Sequence, residues 1–157
     1  MIVHISRRAV SRGTTLGYHA VMTLDAPPVV LVVDDDPGQV AIVTSVLKKA
    51  GFRVLSASSG LAALDVAGDS GVKIYLLVTD LNMPNMSGLA LAAELVSKHA
   101  ELKVLYLTAH ANELFRQAHV LKAHEAFLEK PVSAHGLLEA VYFLLQPALS
   151  TFPERTT

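Results

Sequence analysis

Five carboxylates, one hydroxyl and one ammonium stand where short apolar runs of this chain stop. Residues 29–33 give way to Asp34, Asp35 and Asp36, residues 76–79 to Asp80, residues 104–107 to Thr108, and Phe127-Leu128 to Glu129 and Lys130. Crowded acids repel and raise one another's pKa unless a cation relieves them. A hard divalent ion such as Mg2+ suits an all-oxygen donor set that leaves room for waters and a phosphate. A carboxylate beside that ion is a competent nucleophile toward phosphorus. The charge spread over the phosphoryl oxygens would then be met by the metal, the Lys130 ammonium and the Thr108 hydroxyl. The set reads as a phosphoryl acceptor, in which one of the carboxylates would become an aspartyl phosphate.

Each member has a plainer explanation by itself. Acids enrich helix N-termini because they favour the helix dipole, a strand-end threonine bonds to nearby backbone, and a lysine before proline is ordinarily a solvated loop residue. The elements that would carry these residues decide whether they meet.

Residues 29–33 read as a buried strand, and Pro37 suits the first turn of a helix with Val40, Val43, Val46 and Leu47 at helical spacing. Lys48 and Lys49 in the last turn and Gly51 beyond it mark its end. Residues 52–57 form a second strand, and Ser58 or Ser59 caps a helix through Leu61, Leu64 and Val66. A third strand over 73–79 leads to Asp80. Pro84 then delays the next helix until Ser87 caps it near Gly88, with Leu89, Leu91, Leu95 and Val96 on its apolar face. Residues 104–107 are the fourth strand. Asn112 is expected to cap a helix with Leu114, Ala118 and Leu121 on one face. Phe127 and Leu128 form a minimal fifth strand, and Ser133 caps a last helix over 137–145.

Alternating strands and helices predict an α/β fold with a doubly wound, five-stranded parallel sheet covered on both faces. The expected strand order is 2-1-3-4-5, the flavodoxin-like one. That order brings the carboxyl ends of strands 1, 3, 4 and 5 side by side. Asp34, Asp35, Asp80, Thr108 and Lys130 then share one patch at the accessible edge of the sheet.

Composition bounds the function. The chain has 157 residues, 52% of them apolar, with a formal charge of -1, a poor match to an electrostatic nucleic-acid binder or a disordered chain. Cysteine is absent, which removes disulfides and thiolate chemistry and agrees with a reducing, cytoplasmic setting. The seven histidines are scattered without ligand spacing. No apolar run approaches the roughly 18 residues needed to cross a bilayer, so no membrane role is expected. Arg7, Arg8 and Arg12 hint at a targeting peptide, but Gly13, Thr14 and Thr15 interrupt the apolar segment it would need. The expected organisation is a flexible extension over 1–27, one domain over 28–146 and a disordered tail over 147–157, with Met22 an alternative start.

These residues resemble the receiver domain of two-component response regulators over about residues 29–146. The resemblance rests on Asp34-Asp35, Asp80 with its Met83-Pro84 and Gly88, Thr108-Ala109 and Lys130-Pro131. It implies that Asp80 is phosphorylated, that Asp35 binds Mg2+ directly and Asp34 through water, and that the main-chain carbonyl of Asn82 is a further ligand. It also implies that Thr108 moves toward the phosphoryl group, that Phe127 turns inward behind it, and that Lys130 pairs with the phosphate. Partners would be a histidine kinase or phosphotransfer protein and a downstream protein target. Tyr75, Ser87 and His124 depart from the family's frequent residues, outside the key groups.

Two further expectations concern the neighbourhood. Asn82 and His110 would flank the water that hydrolyses the acyl phosphate and so tune its lifetime. The last helix is apolar beyond one face, which suits a partner or a homodimer through the fourth and fifth helices. The polar residues after Pro147 are too few for a DNA-binding domain, so an output domain and direct DNA binding are not expected from this chain, which could also be cut from a hybrid kinase. It would catalyse only its own phosphotransfer and dephosphorylation. A haloacid-dehalogenase-type phosphatase is the enzymatic alternative, with Asp34 as nucleophile. It needs a later acidic pair, and beyond Lys130 only Glu139 and Glu154 remain. A phosphate-independent binding module is the third reading.

Overall fold

A computed structural model describes residues 4–5, 22–23, 27–112, 116 and 120–146. His4–Ile5 (β1) and Met22–Thr23 (β2) pair antiparallel as a separate two-stranded ribbon. The main sheet comprises Val29–Val33 (β3), Arg53–Ala57 (β4), Ile74–Asp80 (β5), Lys103–Thr108 (β6) and Glu125–Glu129 (β7). Its order is β4-β3-β5-β6-β7, all parallel, which is the expected 2-1-3-4-5 arrangement. Four helices are delimited among the described residues: Pro37–Lys49 (α1), Gly60–Asp69 (α2), Gly88–Lys98 (α3) and Ala134–Leu145 (α4).

Local chemistry explains the helix ends. Asp36 caps α1 by accepting from the Gly38 N–H at 2.8 Å, with Pro37 in the first turn. At its other end Gly51 has φ +95°, and the N–H groups of Gly51 and Phe52 reach the carbonyls of Lys48 and Leu47. That is the Schellman arrangement, and only glycine takes its backbone angle cheaply. Ser59, Ser87 and Ser133 cap α2, α3 and α4 through their hydroxyls.

Two apolar layers sandwich the sheet. Ala63, Leu91 and Leu95 of α2 and α3 meet Leu31, Leu77 and Tyr106 on one face. Val43, Leu47, Leu137 and Val141 of α1 and α4 meet Val32, Leu76 and Leu105 on the other. The central strands are buried on both faces, hence their unbroken apolar runs. Each fully buried leucine contributes about 1.5–3 kcal/mol relative to exposure.

Several boundaries differ from the sequence reading. β7 begins at Glu125 rather than Phe127, because a glutamate disguises its start. Likewise α4 begins at Ala134, immediately after its cap. Asn112, expected as a cap, is itself helical, as is Arg116. Leu121, expected on the apolar face of that helix, lies outside any element and is exposed. Leu114 and Ala118 lie outside the described residues, as do the tail over 147–157 and most of the extension over 1–26.

Candidate functional site

The patch forms at the carboxyl edge of β3, β5, β6 and β7. Strand register places Asp80 opposite Leu107, so Thr108 lies one step further along β6, and Thr108 in turn faces Glu129 on β7. A main-chain bond from the Lys130 N–H to the Thr108 carbonyl, 2.7 Å, closes this corner. The Lys130-Pro131 peptide is cis.

Side chains of Asp34, Asp35 and Asp80 offer carboxylate oxygens all within 4.8 Å of one another. Asp34 is buried, Asp35 exposed and Asp80 intermediate. Into this cluster reaches Lys130, whose Nζ donates to Asp34 Oδ2 at 3.1 Å and stands 3.6 Å from Asp80 Oδ2. Asp34 Oδ1 also accepts from the Asp36 N–H at 2.9 Å. The Asn82 N–H donates to Asp80 Oδ1 at 3.3 Å. Burial pushes the Asp80 carboxyl above its ordinary value; Lys130 opposes this, the Asp34 charge adds to it, and N–H groups of Asn82 and Leu81 lower it.

Backbone packing holds Asp80 in place. Thr79, wholly buried, donates its hydroxyl to the Asp80 carbonyl at 2.9 Å. Gly88, the first residue of α3, passes so close that a Cβ there would collide with that same carbonyl, and its N–H donates to Leu81 O at 2.9 Å. Gly60 at the start of α2 packs likewise against Met86, bracing the loop after Asp80. An open groove of about 380 Å³ between α1 and α2, lined by Asp34, Val40, Ser56 and Val66 among others, borders the acids.

Thr108 is buried, and its hydroxyl is turned to local backbone: it donates to the His110 carbonyl at 3.0 Å and accepts from the His110 N–H at 3.1 Å. Phe127 is half-buried against the layer that includes Tyr106. Asn82 and His110 are exposed. The fold thus brings Asp34, Asp35, Asp80 and Lys130 into contact range and sets Thr108 beside them with its hydroxyl engaged elsewhere.

Comparison with known proteins identifies the family. The family model described as the response regulator receiver domain matches residues 30–142. The chain belongs to the receiver domain family. This receiver is 33% identical over 129 residues to the transcriptional regulatory protein GlrR of Escherichia coli strain K12, covering 82% of this chain and 29% of that protein. The chain therefore spans less than a third of the length of that regulator. A response regulator receiver protein from Sinorhizobium medicae is 28% identical, with a TM-score of 0.67 over 76% of this chain and 94% of that one. Response regulator protein TrrA from Thermotoga maritima, solved in complex with Mg2+-BeF, is 29% identical, with a TM-score of 0.62 over 75% of this chain and 99% of that one.

Receiver domains are signalling modules of two-component systems rather than typical enzymes, and phosphorylation and Mg2+ binding are general properties of the family. The donors present here fit that ion: three hard carboxylates converge in one cluster, and a cationic ammonium already offsets their charge. Among the described residues, no helix is long and apolar enough to cross a membrane. One pairing in this receiver escaped the sequence reading, the hydrogen bond of buried Tyr106 to Glu125. Its signal was a tyrosine inside an aliphatic run, whose hydroxyl needs a partner when buried.

Proposed function

We propose that this receiver accepts a phosphoryl group on Asp80 from the phosphohistidine of a histidine kinase or phosphotransfer protein. The observation that supports this most directly is the Lys130 ammonium lying between the carboxylates of Asp34 and Asp80 at the accessible edge of the sheet. Asp35, Asp80 and the main-chain carbonyl of Asn82 would hold Mg2+ directly, and Asp34 through water. When bound, the metal offsets the negative charge of the carboxylates and the incoming phosphoryl oxygens.

A carboxylate oxygen of Asp80 attacks phosphorus. The O–P bond forms as the N–P bond of the donor breaks, and its electron pair returns to the imidazole ring, whose other nitrogen carries the proton. Lys130 swings from Asp34 to a phosphoryl oxygen and meets the charge that arrives there. Thr108 exchanges its His110 bonds for another phosphoryl oxygen, and Phe127 follows it inward.

The added charge of about -1.5 to -2 is the driving force. Moving a population from 1:99 to 99:1 requires the phosphoryl group to favour the second state by about 5.5 kcal/mol. Such a preference is within reach of one anion bridging a metal, an ammonium and a hydroxyl. Its readout is altered affinity of the face formed by the segment after Thr108, β7 and α4 for a downstream protein in the cytoplasm. Tyr142 and Phe143 of α4 are exposed and suit either that protein or a second copy. Sedimentation with and without phosphorylation separates the two, since a strict monomer in both removes the dimer.

Asn82 and His110 would tune the lifetime of the acyl phosphate by flanking the hydrolytic water. An unchanged decay rate in both Asn82→Ala and His110→Ala contradicts this. The primary test is intact mass after incubation with acetyl phosphate and Mg2+. An adduct of about 80 Da that requires both Mg2+ and Asp80 is expected. Its absence, or its survival in Asp80→Asn, overturns the assignment.

A further inference from the structure

Tyr106 is an anomaly in its strand: a phenol, 1% exposed, amid aliphatic neighbours. It stands opposite Phe127 in the β6–β7 register and belongs to the same apolar layer. Its hydroxyl donates to Glu125 Oε1 at 3.2 Å. Glu125 lies two positions before Phe127, so both project to one face of β7. Its side chain is only 5% exposed, and its second oxygen, Oε2, accepts from the Lys122 N–H at 3.1 Å. The Glu125 N–H in turn donates to the Lys122 carbonyl at 2.9 Å, and His124 Nε2 stands 3.9 Å from Oε1.

One carboxylate therefore joins two parts of the molecule. On one side it holds the strand that ends in Thr108; on the other it closes the turn through which the chain enters β7 and Phe127. The same segment carries Val120 and Leu121, which are exposed. Burial keeps the phenol protonated, so Tyr106 remains a donor. A buried carboxylate stripped of a partner costs more than an exposed one, so this clasp is worth about a full hydrogen bond to the arrangement that contains it.

We propose that Glu125 is a positioning residue for the phosphorylation switch: through Tyr106 and the Lys122 turn it clasps β6 to the entry of β7 and holds Thr108 and Phe127 in the resting arrangement. The proposal rests on the reading of Asp80 as phosphoryl acceptor. The clasp coexists with a Thr108 hydroxyl directed at His110 rather than at the acids. Loosening it favours the alternative arrangement, and whatever favours that arrangement must raise affinity for the phosphoryl group by linkage.

The test titrates the full chain with beryllium fluoride and Mg2+, an acyl phosphate mimic, in the wild type and in Tyr106→Phe, Glu125→Ala and Glu125→Gln. The glutamine can accept from the Lys122 N–H and donate to the Tyr106 oxygen, so it preserves the clasp without the charge. Tyr106→Phe and Glu125→Ala should each bind the mimic about fivefold more tightly, with faster hydrogen exchange over 120–125 in the free protein, while Glu125→Gln stays within about twofold of wild type. Lower denaturation midpoints with unchanged mimic affinity would make the clasp merely structural and overturn the proposal, as would Glu125→Gln behaving like Glu125→Ala. A wild type that neither binds the mimic nor forms the acetyl phosphate adduct overturns the acceptor reading itself, whatever the exchange pattern of the variants.

Discussion

Gly88 passes so close to Asp80 that any side-chain carbon at position 88 would occupy the space of the Asp80 carbonyl. The obstacle is backbone, which cannot swing aside as a flexible side chain can. Gly88→Ala is therefore expected to destabilise the chain by about 1–3 kcal/mol and to displace the carboxylate. Urea denaturation reads the first effect, and a slower approach to the acetyl phosphate adduct reads the second.

Removing one acid should weaken the metal more than the fold. If Asp34 reaches Mg2+ through water, Asp34→Asn should lower affinity by about 10–100-fold, measured by isothermal titration. The adduct should disappear altogether when Mg2+ is chelated in the wild type.

Thr108 accepts the His110 N–H and donates to the His110 carbonyl. Thr108→Ala strips both bonds and should cost about 0.5–1.5 kcal/mol for each bond not replaced by water. The adduct should still form, because the nucleophile and Lys130 remain. Its spectral consequence in the segment after Thr108, followed by amide chemical shifts, should be lost. Thr108→Ser should retain it.

The alkaline limb of stability should report Tyr106. Its folded pKa is raised by burial, then by the charge of Glu125 and the bond to it. A phenol raised in the folded state keeps its full contribution below its unfolded value of about 10 and loses it as pH rises further, because the unfolded chain alone ionises. Denaturation midpoints should fall above that pH, and Tyr106→Phe should flatten the fall. In an ultraviolet scan the Tyr106 phenol should titrate above the ordinary tyrosine range.

Leu105 is wholly buried between β6 neighbours and the α1–α4 layer. Leu105→Ala leaves a cavity in a rigid sheet and should cost about 2–5 kcal/mol, seen as a lower urea midpoint at unchanged slope.

The parts of this molecule legible in its sequence are those marked by abrupt changes of polarity. Apolar runs ending in Asp34, Asp80, Thr108 and Lys130 defined four strand ends, and their convergence followed from topology. Ser87 and Ser133 announced two caps, and Ser58 or Ser59 a third that the structure assigns to Ser59, because a serine before an apolar helical period has one obvious use. Glu125 escaped because a buried charge looks like a surface one until its partners are known. The bearing of Thr108 escaped too: residue type sets a hydroxyl beside the acids, but only the backbone at His110 says where it points. The pairing of His4–Ile5 with Met22–Thr23 involves strands too short for any periodicity to register.

The contact between Lys130 and Asp34 joins residues 96 positions apart. During synthesis Asp34 leaves the ribosome long before Lys130, and with it the crowded acids Asp35 and Asp80. A nascent chain that has made four strands carries the whole acidic cluster without the Lys130 ammonium that offsets it. Only when β7 docks does the acidic edge acquire its counter-charge, so the electrostatics of the whole edge wait on the last strand to fold.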